Sequence, residues 1–220
     1  MSAKDQSRQT TAAPAPAERS YNGLPAAERT NLRRQRLLEV GLDMLGGPDG
    51  PQDLTLRTVC GRSGLAQRYF YESFADKDEF AAAIYDWALA GLVTKAQAAV
   101  AAVPPADQAR AGVASLVRTI GADRRIGQLL FSPNQINLVL VRKRFESTAM
   151  FVSLFAQHLR DTFHPDNESG LPILAQFLVG GVGQALAAWL NQEVTITEDA
   201  LIEQLIEILT VHQPLWPGVD

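Results

Sequence analysis

The chain of 220 residues lacks several features that mark catalytic and secreted proteins. It has one cysteine, Cys60, so no internal disulfide can form, which suits a reducing compartment. His158, His164 and His212 have no i, i+4 spacing and no cysteine or carboxylate constellation around them, so we expect no metal site. There is also no Ser/His/Asp set, no glycine-rich phosphate loop and no paired carboxylates in an apolar context. We therefore predict neither an enzyme nor a bound cofactor.

Charge of one sign is not in large excess, but it is unevenly distributed. The net charge is −4, from 20 Lys and Arg against 24 Asp and Glu. Between Arg19 and Lys77, however, nine basic residues face seven acidic ones, and the stretch 29–36 contains no acid. A locally basic end on an acidic body suits a protein that contacts nucleic acid with one end.

One long run lacks charge altogether. Residues 171–190 are long enough to span a bilayer, but they include Pro172, Gln176, Gln184 and three glycines. No basic cluster follows to fix a topology, so we predict no membrane association. The run is interpreted as a core helix or as a helix shared with a second subunit. The first residues lack a continuous apolar run, so a cytoplasmic protein is expected.

Helical periodicity and the lack of strand-like alternation predict an all-α fold. Residues 1–26 are rich in Ala, Pro, Ser, Gln and Thr and are predicted to form a flexible tail. We assign 27–76 to a three-helix DNA-binding domain and 77–220 to a linking helix with a C-terminal bundle. Helices after the first domain are predicted over 77–103, 107–121, 124–131, 134–163, 171–192 and 197–212.

The segment 54–80 has the pattern of a helix-turn-helix. Thr55 is placed to cap a first short helix, and Gly64 follows it as a turn residue. A second short helix is predicted over 67–73, with Phe70 and other apolar residues facing inward. Such a pair of helices lays the second helix in the major groove of DNA and braces the first against the backbone.

The second helix is expected to present side chains that can bind DNA. Arg68 can bond guanine and Gln67 can bond adenine, while Tyr69 and Tyr71 can reach phosphates or a thymine methyl group. Glu72 would weaken binding unless it pairs with Arg68 or turns away. The same pattern also fits a surface helical hairpin with an Arg–Glu pair and two half-buried tyrosines. The predicted DNA-binding residues are Arg33, Thr55, Arg57, Gln67, Arg68, Tyr69, Tyr71 and Lys77.

One set of residues in and around the helix-turn-helix matches a known family pattern: Leu54-Thr55, Gly64-Leu65-Ala66, Phe70-Tyr71, Phe74 and Lys77. On these residues, the segment 28–80 resembles the DNA-binding domain of the TetR family of bacterial transcriptional repressors. Two positions depart from the family pattern: Ala66 replaces the usual Ser or Thr cap, and Ser73 replaces a common His.

The resemblance implies a homodimeric regulator that binds a pseudo-palindromic duplex operator and is released by a small apolar effector. In such proteins the last two long helices form the dimer, and the linking helix carries the response. At the dimer interface we place Gly181, Ala185, Leu205, Ile206 and Leu209. For the ligand pocket we place Trp87, Leu92, Phe131, Phe151, Phe155 and Phe177, each of which also fits an ordinary core position.

Two other classes of function stay open. One is a helical adaptor that binds protein through the apolar C-terminal helices, and the other is an enzyme. Salt-dependent binding to duplex DNA would distinguish a regulator from both.

Overall fold

The computed structural model describes residues 25–134, 137–163 and 170–210. This part of the chain contains nine α-helices and one short 3₁₀ turn, and no strand occurs in it, which confirms the all-α prediction. Most of the predicted tail and the predicted helix end at His212 lie outside these ranges. The helices are α1 (Ala26–Gly46), α2 (Leu56–Ser63), α3 (Gln67–Tyr71), α4 (Lys77–Ala101), α5 (Gln108–Ala122), α6 (Arg124–Phe131), α7 (Leu138–Phe163), α8 (Leu171–Leu190) and α9 (Glu198–Thr210).

Helix α1 is amphipathic, with one apolar stripe directed into the protein. Leu37, Leu38, Leu42 and Leu45 recur at helical spacing and all are buried. The helix ends before Gly47, whose backbone is extended. The position of α1 is therefore set by the apolar pattern already visible in the sequence.

Helix α4 begins at a side-chain cap and connects the two ends of the molecule. The Asp76 carboxylate accepts hydrogen bonds from the backbone N–H groups of Asp78 (2.9 Å) and Glu79 (2.8 Å). Its buried side chains include Phe80 and Ile84. Helix α4 packs on α1 on the N-terminal side and on α5, α6 and α7 beyond it. One buried apolar cluster thus extends from α1 through α4 to α9.

Helix α8 has a buried side and an exposed apolar side. Leu178 and Leu186 are among its buried residues, whereas Ile173 is 75% exposed and Phe177 is 66% exposed. By length and composition α8 is the one helix in the described ranges that could cross a bilayer. Its exposed side also carries Gln176 and Gln184, so the exposed apolar side chains are confined to its first two turns.

Candidate nucleic-acid interface

The turn between α2 and α3 is fixed by hydrogen bonds at both ends of α2. The Thr55 hydroxyl accepts the backbone N–H of Thr58 at 3.2 Å, as the sequence predicts. Gly64 has φ +70°, in the left-handed region, and its N–H donates to the Cys60 carbonyl at 3.0 Å. The buried Ser63 hydroxyl donates to the same carbonyl and accepts the N–H of Leu65. The angle between the two short helices is therefore held by local bonds.

Helix α3 has only five residues and is held in place by three aromatic rings. Phe70, Phe74 and Phe80 are all nearly inaccessible to solvent. The centroid of the Phe80 ring lies 5.2 Å from that of Phe70 and 4.8 Å from that of Phe74. Such aromatic contacts add specific geometry to apolar burial. Since Ala66 provides no side-chain cap, this anchor replaces the cap that α3 lacks.

The opposite face of α3 presents polar and aromatic side chains to solvent. Gln67 and Arg68 are exposed, and Tyr71 is 59% exposed. A tyrosine combines an apolar ring with a hydrogen-bonding hydroxyl, which is why this residue type is enriched at contacts with partner molecules. The predicted outward direction of these three side chains is present in the fold.

Tyr69 lies between two guanidinium groups. The Arg33 guanidinium of α1 is 4.4 Å from the centre of the Tyr69 ring, and that of Arg68 is 4.6 Å away. Arg68 Nη2 also donates to the Tyr69 hydroxyl at 2.6 Å. Tyr69 is therefore held against α1 and orients Arg68, an arrangement for which the sequence gives no local signal because Arg33 belongs to a different helix.

Glu72 pairs with α1 and not with Arg68. Arg33 Nη2 lies 3.4 Å from Glu72 Oε2, and the same nitrogen is 3.0 Å from the Thr30 hydroxyl. The Glu72 carboxylate, which directly follows α3, is thus compensated by Arg33, a residue predicted from the sequence to bind DNA. Arg33 is half-buried by these contacts.

The basic residues around α3 divide into paired and unpaired groups. Arg62 is engaged by Asp43 at 3.3 Å and by the Gln52 side chain at 3.0 Å. Arg57, at the start of α2, and Lys77, at the start of α4, are exposed, and no ion pair within the described ranges involves either. Together with Arg68, which also has no acidic partner in the ion pairs of the described residues, they are cations of the kind that bind a phosphate backbone.

A charged network joins this N-terminal region to the C-terminal bundle. Arg125 of α6 donates to Asp123 at 2.7 Å and to Glu39 of α1, also at 2.7 Å. The Arg125 guanidinium holds the pKa of the Asp123 carboxyl below its usual range. A Cβ built on Gly46 would lie 2.1 Å from the Arg125 carbonyl oxygen, so α1 and α6 approach backbone to backbone. Sequence reasoning missed this junction, whose partners are far apart in the chain.

The residues predicted to line a ligand pocket lie in different environments. Leu92 is buried, Trp87 and Phe131 are half-buried against the core, and Phe177 is exposed on α8. Phe151 and Phe155 are half-buried on α7. Their role in ligand binding stays a prediction.

The residues predicted at a dimer interface also differ in exposure. Gly181 is exposed, and a Cβ placed there would meet nothing within 4 Å. Ala185, Ile206 and Leu209 are half-buried, whereas Leu205 is buried within its own subunit. Gly181 shares the exposed side of α8 with Ile173 and Phe177.

No group of three or more His, Cys, Asp or Glu side chains that could hold a metal occurs in the described parts of the chain.

The order and packing of the helices are those of the TetR-like transcriptional regulators, the fold that the sequence resemblance predicts. The chain is similar over 84% of its length to 95% of a TetR-like transcriptional regulator from Rhodococcus sp. RHA1, with 20% identity and a TM-score of 0.62. No protein-family model and no curated protein matches the sequence.

Two further solved structures with this fold carry small molecules. FadR from Bacillus subtilis, in complex with stearoyl-CoA, is 12% identical over 84% of this chain and 99% of its own, with a TM-score of 0.64. The multidrug binding protein EbrR, complexed with imidazole, is 22% identical over 86% of this chain and 97% of its own, with a TM-score of 0.57.

Proposed function

We propose that this protein is a DNA-binding transcriptional regulator, acting as a repressor that an effector releases from its operator. The observation that carries the proposal is the exposed face of α3. Gln67, Arg68 and Tyr71 point away from a helix that three buried rings hold rigidly. Base-edge donors on a fixed helix are what major-groove recognition requires. The function of an adaptor or an enzyme would not explain why a packed helix exposes Gln67, Arg68 and Tyr71 together.

The proposed regulator binds a pseudo-palindromic operator as a homodimer. A five-residue helix reads only a few base pairs, so two copies are needed for a specific site. The exposed side of α8 supplies a surface for the second copy, because Ile173 and Phe177 would be removed from water on association. In this arrangement residues 27–76 form the DNA-binding domain, and residues 77–220 form the effector and dimer domain.

A small-molecule effector completes the proposal. FadR with stearoyl-CoA and EbrR with imidazole show that this fold accommodates ligands. Helix α4 and the Arg125 network both connect the C-terminal bundle to α1, so either can transmit a change in that bundle. Coupling between effector and operator is expected to be about 1–3 kcal/mol and reciprocal. The proposed regulator works in the cytoplasm and needs no cofactor.

A gel-shift titration against DNA from the region upstream of the protein's own gene tests the proposal. Arg68→Ala should weaken specific binding by about 1–3 kcal/mol if the guanidinium contacts a guanine. Lys77→Ala should weaken binding to all sequences equally and reduce the salt slope. Arg118→Ala replaces an exposed arginine of α5 that is far along the chain from this face. It serves as the control and should change neither the specific affinity nor the salt slope.

The proposal fails if wild-type protein shows no salt-dependent binding to any duplex. The assignment of α3 as the reading helix fails if Arg68→Ala and Tyr71→Ala both leave specific binding intact.

A further inference from the structure

Arg144 is a partly buried cation whose hydrogen-bonding capacity is not used up. It lies on α7, which packs against α4. Its Nη2 donates to the Leu129 carbonyl of α6 at 3.3 Å. Its Nε is buried and has no hydrogen-bond partner, and no other side-chain nitrogen or oxygen in the described residues is in that state. A buried donor without an acceptor costs free energy, so this atom requires explanation.

The charge of Arg144 is uncompensated as well. Asp86 of α4 does not compensate this charge, because it is paired with Lys143: Lys143 Nζ and Asp86 Oδ2 are 2.8 Å apart. No ion pair among the described residues includes Arg144. Burial lowers the pKa of the Arg144 guanidinium, and Tyr85 opposes that shift. A desolvated cation without an anion is strongly unfavourable, and a bound anion would relieve it.

The surroundings of Arg144 combine one polar pair with apolar side chains. The Tyr85 hydroxyl and the Ser147 hydroxyl are 2.6 Å apart, and Ser147 also donates to the Arg144 carbonyl at 3.0 Å. Leu129, whose carbonyl accepts from Arg144, and Leu140, one turn before Arg144 on α7, are fully buried. None of these four neighbours is an anion that could compensate the Arg144 charge.

We propose that Arg144 binds the carboxylate of the effector, which is an amphiphile with one negative charge and an apolar body. This inference rests on the proposed function, since it names the chemical class of the regulator's ligand. In a guanidinium the Nε–H and one N–H of Nη2 share an edge that matches the two oxygens of a carboxylate, and the Nε–H of Arg144 has no acceptor. The ligand is expected to carry a single negative charge, because the neighbouring Lys143 is already paired with Asp86 and Arg144 has no anionic partner.

The competing explanation is that Arg144 only stabilises the end of α6. Leu129 is in the last turn of α6, and a cation near that end is favourable. This contact uses Nη2 and leaves Nε unexplained. The two explanations differ in one measurable respect, because a purely structural arginine would give no preference for an acid over its alcohol.

Ligand binding to the full-length protein distinguishes them. The probes are decanoate and 2-naphthoate, each compared with its uncharged alcohol, and the readouts are tryptophan fluorescence and the ligand-induced rise in Tm. Wild-type protein should bind at least one acid at least about tenfold more tightly than the alcohol, as expected for a charged hydrogen bond. Arg144→Gln should remove that preference, and Arg144→Lys should keep part of it because the charge remains without the fork.

Arg142→Gln is the matched control, since Arg142 is an exposed neighbour in the same basic run. It should bind the acids like wild type. The proposal is overturned if no probe acid binds wild-type protein, if acid and alcohol bind equally, or if Arg144→Gln keeps the preference.

Operator binding by ligand-free wild-type protein is measured separately. If the protein binds no operator but prefers acids in an Arg144-dependent way, the proposed regulatory function is refuted and the carboxylate site is retained. Operator binding without that preference would refute the site alone.

Discussion

Two exposed surfaces of this protein are opposite in chemistry. The outward face of α3 carries Gln67, Arg68 and Tyr71, whereas the outward face of α8 carries Ile173 and Phe177 beside exposed glycines. The first surface is short, polar and positively charged. The second is uncharged, and its apolar side chains lie among exposed glycines and two glutamines, Gln176 and Gln184.

The difference indicates what each surface can bind. Cations in water attract a polyanion through a salt-dependent term and read base edges through hydrogen bonds. An apolar stripe gains free energy only when another apolar surface covers it. The predictions below test this division, beginning with the largest expected effect.

A charge placed on the exposed side of α8 should prevent two subunits from associating through this surface. Gly181→Arg fits the isolated subunit, because a Cβ at Gly181 meets nothing within 4 Å. In a dimer packed through α8 the charge would be buried without a partner, weakening association by about 3 kcal/mol or more, roughly a hundredfold. Sedimentation velocity measures the change. Gly91→Arg of α4 has equally open space and should leave the dimer intact, and equal behaviour of both variants would refute an α8 interface.

The α3 surface depends on the turn that precedes it. Gly64 has φ +70°, so Gly64→Ala should cost about 1–2 kcal/mol of folding free energy although no atom lies near its Cβ. Urea denaturation measures the loss, and operator affinity should fall with it. Gly61→Ala, within α2 and also facing open space, should instead stabilise by about 0.5–1 kcal/mol. Similar effects at both positions would contradict the role of the backbone angle.

Loss of the ion pair between Arg33 and Glu72 should lower operator affinity and leave the α8 surface unaffected. Arg33→Gln removes the partner of that carboxylate and should weaken operator binding by about 0.5–1 kcal/mol, because the negative charge then faces the phosphates. The double variant Arg33→Gln with Glu72→Gln should recover part of the affinity in the same gel-shift assay. No recovery would mean that Arg33 acts on DNA directly or through Tyr69 alone.

The smallest effect is expected at the junction between the two regions. Arg125 lowers the pKa of Asp123, so the stabilisation is present above the unfolded pKa of about 4 and is lost as pH falls through the lower folded value. The difference in Tm between wild type and Asp123→Asn should therefore shrink as the pH is lowered from about 5 to about 2. Asp49→Asn, in an exposed turn, should show no such trend, and a constant difference for Asp123→Asn would contradict the linkage.

The local parts of the helix-turn-helix were predictable from the sequence. The Thr55 cap and the glycine turn at Gly64 follow from residue type and spacing over a few positions. Phe70 and Phe74 are four residues apart, so their shared buried face is a matter of helical period. The exposed direction of Gln67 and Arg68 follows from the same period.

The pairings between helices were not predictable. Glu72 bonds to Arg33, 39 positions away, although Arg68 lies at the helical spacing of four. The Arg125 network reaches Glu39 across 86 positions. The exposed side of α8 was also ambiguous, because a run without charge has no pattern that separates its inner from its outer face.

The sequence by itself determined the helices and the chemistry of the exposed face of α3, since caps, turns and apolar periodicity act within one or two helical turns. Helix ends were less well determined: α7 begins at Leu138 and not at 134, and α3 ends at Tyr71 and not at 73. Only the tertiary structure decided which charges are paired, which apolar face is left uncovered, and that the Nε of Arg144 has no acceptor. These depend on how distant helices pack, and packing selects among partners that are equivalent in the sequence. Most of the fold was therefore encoded locally, while the candidate sites depend on contacts that exist only once the chain is folded.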